Sequence, residues 1–265
     1  MTAVTVPPVS AGLGDLPSVS LTELLERAEL MTRVDRKYVL DAADLPTVLD
    51  AVRADLRVLD VQGQREFGYQ SDYLDTAQLT SYLGAAHRRR RRFKLRVRTY
   101  LDTGARFLEV KTRGPRGTTV KDRMPYAGSV AALDGDGHRF VADRLRHARV
   151  ECALDTLAPS LRTSYDRATL LIDTTDSRLT IDSNLIVASP DGRALRLPDK
   201  VVVESKAARG ASAIDRALWR LGHRPCSISK YGTGLAALRP ELPANHWHST
   251  LLRHFADNPR KAHHA

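Results

Sequence analysis

In the octapeptide Phe93-Lys94-Leu95-Arg96-Val97-Arg98-Thr99-Tyr100, basic and apolar residues alternate almost one for one. This is the two-residue period of a β-strand; wound as a helix, the same residues would scatter their cations round the circumference. Lys94, Arg96 and Arg98 therefore share one face of the predicted strand. The run Arg106–Arg113 repeats the pattern with Glu109 and Lys111 on the charged face, and residues 118–126 repeat it with Lys121 and Arg123. The glycine-containing links 101–105 and 114–117 read as tight connections between antiparallel strands. From Arg88 to Arg123 fourteen Lys or Arg stand against three acids, an excess of eleven in a chain of net charge +10, so the remainder is close to neutral. Cations at that density on one sheet face repel one another unless they meet water or an anion.

Other segments carry charge in the same period. Arg33, Asp35 and Lys37 alternate within 31–40. Residues 69–76 form a further strand, residues 159–172 carry Arg162 and Arg167, residues 177–182 present Arg178, Thr180 and Asp182 on one face, and residues 200–206 present Glu204 and Lys206. Apolar spacing of three and four predicts helices over 21–28, 44–55, 77–86, 141–157 and 212–221. The ordered part closes at 227–234, with Lys230 at a strand end before a glycine turn. About eight strands sending charge to one side and apolar residues to the other predict an α+β protein built on a closed eight-stranded antiparallel β-barrel tunnel with a charged lumen and helices packed outside. Lys37, Arg96, Arg98, Lys111, Lys121, Arg123, Arg162, Arg167, Arg178, Lys206 and Lys230 would line that lumen and call for a polyanion. Glu109, Asp182 and Glu204 among them offer the hard oxygen ligands that suit Mg²⁺ or Mn²⁺.

Composition narrows the function classes. With 42% apolar residues a sizeable core is available, yet no window of eighteen uncharged apolar residues is present, so no membrane span is expected. Residues 1–20 lack the basic start and apolar block of a secretory signal and read as a flexible tail. Residues 21–240 read as one domain, and 241–265, rich in His and Pro, as a second tail. Two cysteines, Cys152 and Cys226, fit a reducing cytoplasm. The run Arg88–Arg92 suggests nucleic acid in isolation, but it leads straight into a periodic strand, so no nucleic-acid partner is expected.

The pieces Arg33-x-Asp35-x-Lys37-Tyr38, Tyr73-Leu-Asp75-Thr76, Arg96-x-Arg98-x-Tyr100, Glu109-x-Lys111, Arg162-x-x-Tyr165-x-Arg167, Arg178-x-x-x-Asp182, Glu204-x-Lys206 and Ser229-Lys230-Tyr231 occur in that order. Together they resemble the catalytic domain of the vacuolar transporter chaperone (VTC) family, the polyphosphate polymerases of the triphosphate tunnel metalloenzyme superfamily. The resemblance implies a soluble, metal-dependent phosphotransferase that moves the γ-phosphate of ATP onto a pyrophosphate or polyphosphate chain, with Mn²⁺ or Mg²⁺ as cofactor. It implies phosphate contacts from Arg96, Arg98, Lys111, Lys121, Arg162 and Arg178, with Lys37, Arg167 and Lys206 completing the phosphate- and nucleotide-binding cations. Glu204 and Lys230 take catalytic roles, Glu204 as metal ligand with Glu109 as a second, and Lys230 beside the reacting phosphoryl group. Asp35 stands where the superfamily commonly has Glu, which shortens the reach of that carboxylate. Two alternatives share the tunnel: an inorganic or nucleoside triphosphatase, with water as acceptor, and a non-catalytic polyphosphate-binding module. On this reading, removing Arg96 or Arg98 weakens triphosphate binding and relieves repulsion in the apo fold.

Overall fold

The computed structural model describes residues 9–28, 34–114, 118–197 and 199–255. Arg33 of the first charged strand lies outside them. In chain order the elements are β1 (Ser18–Val19), α1 (Leu21–Ala28), β2 (Val34–Asp41), α2 (Leu45–Asp50), β3 (Leu56–Leu59), β4 (Glu66–Asp75), α3 (Thr80–Ala86), β5 (Phe93–Tyr100), β6 (Arg106–Arg113), β7 (Thr119–Pro125), α4 (Gly135–His147), β8 (Ala158–Ile172), β9 (Ser177–Ala188), β10 (Ala194–Leu197), β11 (Lys200–Ala207), α5 (Ala213–Arg220), α6 (Lys230–Leu238) and α7 (His248–His254). The fold is α+β with a large, mainly antiparallel sheet.

Eight strands lie on one hydrogen-bonded path, β2-β11-β9-β8-β4-β5-β6-β7. The sequence predicts that this path closes into a barrel. Among the described residues no hydrogen-bonded pair joins β7 back to β2, so backbone pairing does not close it. Both end strands carry consecutive charged residues, Asp35-Arg36-Lys37 and Lys121-Asp122-Arg123, and charge along an edge opposes strand addition. None of the described helices is long and apolar enough to cross a membrane.

The chain divides into two compact units. The first holds residues 1–68, 165–185 and 196–227, the second 69–164, 186–195 and 228–265. In the first unit, Tyr38 and Leu40 of β2, Val201 and Val203 of β11, and Leu179 and Ile181 of β9 meet α2 and α5 in one apolar layer. Burial of each such side chain stabilises by roughly 1.5–3 kcal/mol. A capping box at Ser212 and Asp215 starts α5. The fully buried Asp215 also accepts hydrogen bonds from Tyr38 Oη (2.7 Å) and Ser205 Oγ (3.1 Å), which fixes the helix to two neighbouring strands.

In the second unit, Leu74, Phe93, Leu95, Val97, Leu108 and Val110 form the apolar face opposite the cations, and Val141 and Leu145 of α4 cover it. The helix predicted over 141–157 forms instead over α4, because the Asp134 side chain accepts Gly137 N–H (2.6 Å) and starts it early.

Both predicted tails are packed where they are described. Val9, Leu13 and Leu16 belong to the core of the first unit. In the second, Trp247, Leu251 and Phe255 are at most 2% exposed.

Candidate functional site

The register of β5, β6 and β7 assembles the charged face of the second unit. Arg96 pairs with Glu109 and Glu109 with Arg123, while Lys94 pairs with Lys111 and Lys111 with Lys121. Strand alternation puts Lys94, Arg96, Arg98, Lys111, Arg113, Lys121 and Arg123 on this face, and Glu109 is the one carboxylate the three strands offer them. Three lysines in a cross-strand row are mutually repulsive, an arrangement an anion would relieve. Aromatic rings on the same face orient the guanidiniums: Arg96 lies 5.9 Å from the Tyr73 ring centre, Arg98 5.4 Å from Tyr69, and Arg123 4.8 Å from Phe107.

Glu109 is 1% exposed, and its oxygens lie 2.5 Å from Arg96 Nη2 and 2.6 Å from Lys121 Nζ. Burial alone would raise its pKa, but the charges of Arg96, Arg98 and Lys121 outweigh it and hold the carboxyl at about 2. Lys121 is pushed down, first by burial and then by Arg96 and Arg98, against the pull of Glu109. Arg96 is therefore also the counter-charge of a buried carboxylate, which corrects the expectation that its removal relieves the apo fold.

The folded pKa of Glu109 lies below the ordinary 4.5, so its pairing stabilises fully above that pH and is lost as the pH falls toward 2. The gap between the two values corresponds to on the order of 3 kcal/mol. Acid unfolding followed by circular dichroism should accordingly be shallower between about pH 4.5 and 2 in Glu109→Gln than in the wild type. Equal slopes would show that this pairing contributes nothing to acid stability.

The first unit carries a differently balanced face. Lys37 opposes Glu204 in register, Glu204 opposes Thr180, and Lys206 opposes both Asp35 and Arg178. The Glu204 carboxylate lies 3.0 Å from Lys37 Nζ and 3.1 Å from Lys206 Nζ. Burial raises its pKa, yet Lys206, Lys37 and Arg167 together hold it well below the usual carboxylate range. Lys206 is pushed down by burial and by Arg167, against Glu204 and Asp35. Arg167 grips Asp182 with two hydrogen bonds, Nε to Oδ1 at 2.5 Å and Nη2 to Oδ2 at 2.8 Å. Here cations and carboxylates alternate, whereas cations dominate the face of the second unit.

Arg162 departs from the predicted set. Its Nε donates to Asp72 Oδ1 at 2.6 Å. Asp72 pairs with Val97, whereas Tyr73 pairs with Arg96, so Asp72 points to the side of β4 opposite the cation face. The sequence sets Arg162 among the lumen cations, but its odd spacing from Arg167 puts the two on opposite faces of a regular strand, and its partner is Asp72.

Lys230 is the first residue of α6 rather than the end of a strand. Ser229 caps the helix, its Oγ accepting Gly232 N–H at 3.1 Å, and Ser229 N–H donates to Thr233 Oγ1 at 3.0 Å. Tyr231 stacks on Tyr73 at 4.9 Å, and its hydroxyl donates to the buried Asp75 at 2.5 Å. Lys94, placed on the charged face by its alternation but given no ligand role, donates from Nζ to Ser229 Oγ at 2.8 Å. It thereby links the lysine row to the turn that carries Lys230. The sequence signal for Lys94 is present in the strand period, but its partner lies 135 residues away.

The sequence matches the family model of the VTC domain over residues 32–239. No curated protein matches it in sequence. Among solved structures, a candidate adenylate cyclase from Bacillus halodurans is 13% identical, with 75% of this chain and 94% of that chain covered and a TM-score of 0.48. A Hippeastrum protein described as a candidate adenylyl cyclase with a dominant triphosphatase activity is 14% identical, with coverage of 81% and 100% and a TM-score of 0.44. A candidate adenylate cyclase from Vibrio parahaemolyticus is 15% identical, with coverage of 80% and 88% and a TM-score of 0.38.

Proposed function

The chain belongs to the VTC-domain family, whose model covers residues 32–239, and from that premise we propose that it is a polyphosphate polymerase moving the γ-phosphate of ATP onto a growing phosphate chain. The observation that carries this reading is the face of β5, β6 and β7, where seven cations meet one already neutralised carboxylate. Such a face suits a ligand with many negative charges along its length. In the transfer, the bond from the γ-phosphorus to the β,γ-bridging oxygen breaks, a terminal oxygen of the acceptor chain forms the new P–O bond, and ADP leaves. Little covalent chemistry is asked of the protein; positioning and charge neutralisation carry the reaction.

Within that reading Arg96 and Arg98 hold phosphate oxygens with guanidinium forks kept in orientation by Tyr73 and Tyr69, while Lys111 and Lys121 neutralise further oxygens. Lys37, Arg167, Arg178 and Lys206 supply the phosphate- and nucleotide-binding cations of the first unit. Lys230 takes the developing charge at the reacting phosphoryl group. Closure of the strands into a tunnel belongs to the same reading, as does a reducing cytoplasmic setting, in keeping with Cys152 and Cys226 standing outside any disulfide.

Among the described residues no three His, Cys, Asp or Glu converge as a ready-made metal cage. The donor set does fit the mode in which one carboxylate shares a divalent ion with phosphate oxygens and water. Glu204 suits that role, being ionised and with its side chain 16% exposed. Both carboxylates are paired with cations, but Glu109 is held at shorter distances and at 1% exposure, so we assign it to charge balance. A bound Mn²⁺ or Mg²⁺ would supply further neutralisation of the non-bridging oxygens.

Purified protein given ATP and Mn²⁺ should yield a polyphosphate ladder on a gel together with ADP. Free phosphate without chain growth would make it a hydrolase, and tight polyphosphate binding without turnover a binding module. Glu204→Gln should lower metal-dependent turnover by at least about a hundredfold. Its metal-free affinity for tripolyphosphate should not fall, because Lys37 and Lys206 lose their counter-charge. An unchanged Mn²⁺ dependence in that variant would reduce Glu204 to charge balance.

A further inference from the structure

A groove of about 440 Å³ lies in the second unit beside the C-terminal end of α4. Its floor is apolar: Leu145, Val150, Cys152 and Leu154 form the outer edge of that unit's core. Burial pushes the Cys152 thiol up to about 11, with a smaller contribution from Asp75, which marks a poorly hydrated floor. Arg91, Arg146 and Arg149 stand on the rim, with Glu151 as the one acid among the lining residues. Arg146 has Asp143 at 3.7 Å. The guanidinium groups of Arg91 and Arg149 have no hydrogen-bond or ion-pair partner among the described residues, so their charges are available to a ligand.

The backbone adds a separate observation. α4 ends in a Schellman turn, with Val150 N–H donating to Leu145 O at 2.9 Å and Arg149 N–H to Arg146 O at 3.0 Å. Arg149 occupies its left-handed position at φ 52°, where glycine is the residue of least strain. The same turn ends α3, with Arg88 at φ 52°. There the arginine has a structural use, because its guanidinium binds His246 Nδ1 with Nε at 3.0 Å. Arg149 has no such use, yet a guanidinium rather than a hydrogen atom stands at a strained position over an apolar floor. Strain of this kind points to a role outside folding.

We propose that this groove is a binding site for a small amphipathic anion, an acyl or aryl group ending in phosphate or carboxylate. The apolar part lies against Leu145, Val150 and Cys152, and the anionic end is held by Arg91, Arg146 and Arg149. The volume is that of a small-molecule site. A fully hydrated polyanion would gain nothing from the floor, and a neutral lipid would gain nothing from the rim. The site shares none of the residues assigned to phosphoryl transfer and stands independently of that assignment.

The test is calorimetric titration of the full chain with octyl phosphate, in the presence of excess inorganic tripolyphosphate to occupy the cationic sheet face. Octyl phosphate should bind one to one, and inorganic phosphate or octanol alone should bind at least about tenfold more weakly. Arg149→Gly and Arg91→Gln should each weaken octyl phosphate about tenfold or more, the loss expected for a hydrogen bond to a charged group. Arg149→Gly should melt at or above the wild-type temperature, because glycine is favoured at that backbone position. The proposal fails if octyl phosphate gives no saturable heat, if tripolyphosphate displaces it, if inorganic phosphate binds as well, or if both variants bind like the wild type. Should Arg149→Gly fold poorly, Arg91→Gln decides, since it leaves the helix end untouched.

Discussion

Lys230→Ala is expected to lower the turnover number at least about a hundredfold while changing nucleotide affinity by less than about tenfold. The surroundings make this a clean experiment. Lys230 opens α6 between Ser229, whose cap is made with Gly232 and Thr233, and Tyr231, whose hydroxyl is held by Asp75. The backbone on either side is fixed by groups other than the lysine side chain. Alanine is also the best helix former, so the variant loses a charge and keeps the helix. A cation at the positive end of a helix is in an unfavourable field that a phosphate arriving there would relieve. Lys230→Arg should recover only part of the rate, because a planar guanidinium does not replace a compact ammonium. Steady-state kinetics with a separate nucleotide-binding titration decides the matter. Binding a hundredfold weaker at normal turnover of the bound nucleotide would make Lys230 a ground-state clamp.

The position of Lys230 also shows where sequence reasoning stops. Residues 230–238 contain Gly232 and Gly234 and read as the turn after a strand, yet they form α6. Both glycines answer to packing partners distant in sequence. A Cβ on Gly232 would come within 2.3 Å of the Trp247 ring, and one on Gly234 within 2.9 Å of Val187. Trp247 lies in the segment read as a loose tail, so neither the helix nor the order of that segment was legible without the other. By contrast β5 and β6 have the predicted boundaries, because a two-residue period of charge and apolarity is a local property.

The site was legible to the same degree. Alternation assigned Arg96, Arg98, Glu109, Lys111, Lys121 and Arg123 to a common face, which the register bears out. It did not show that Glu109 would be neutralised by Arg96 and Lys121, since those distances depend on which rotamers the three strands permit. Nor did it give Lys94 a partner, because Ser229 arrives from the other end of the chain.

Glu109→Gln tests the balance within that face. The substitution keeps the side-chain volume and removes the carboxylate that offsets Arg96, Lys121 and, more distantly, Arg98. Breaking a buried pair by removing one partner leaves an uncompensated charge, which costs about 3–5 kcal/mol. Urea unfolding at neutral pH should therefore show a loss of that size with an unchanged slope. The cations left behind should also bind an anion more tightly. Inorganic tripolyphosphate should then raise the melting temperature of Glu109→Gln by more than it raises that of the wild type, because a ligand's stabilisation of the folded state grows with the logarithm of its affinity. Unaltered stability would mean that the pair does no more than offset its own desolvation. A smaller tripolyphosphate shift in the variant would return Glu109 to the binding machinery, as a metal ligand or phosphate-site group, and remove it from charge balance.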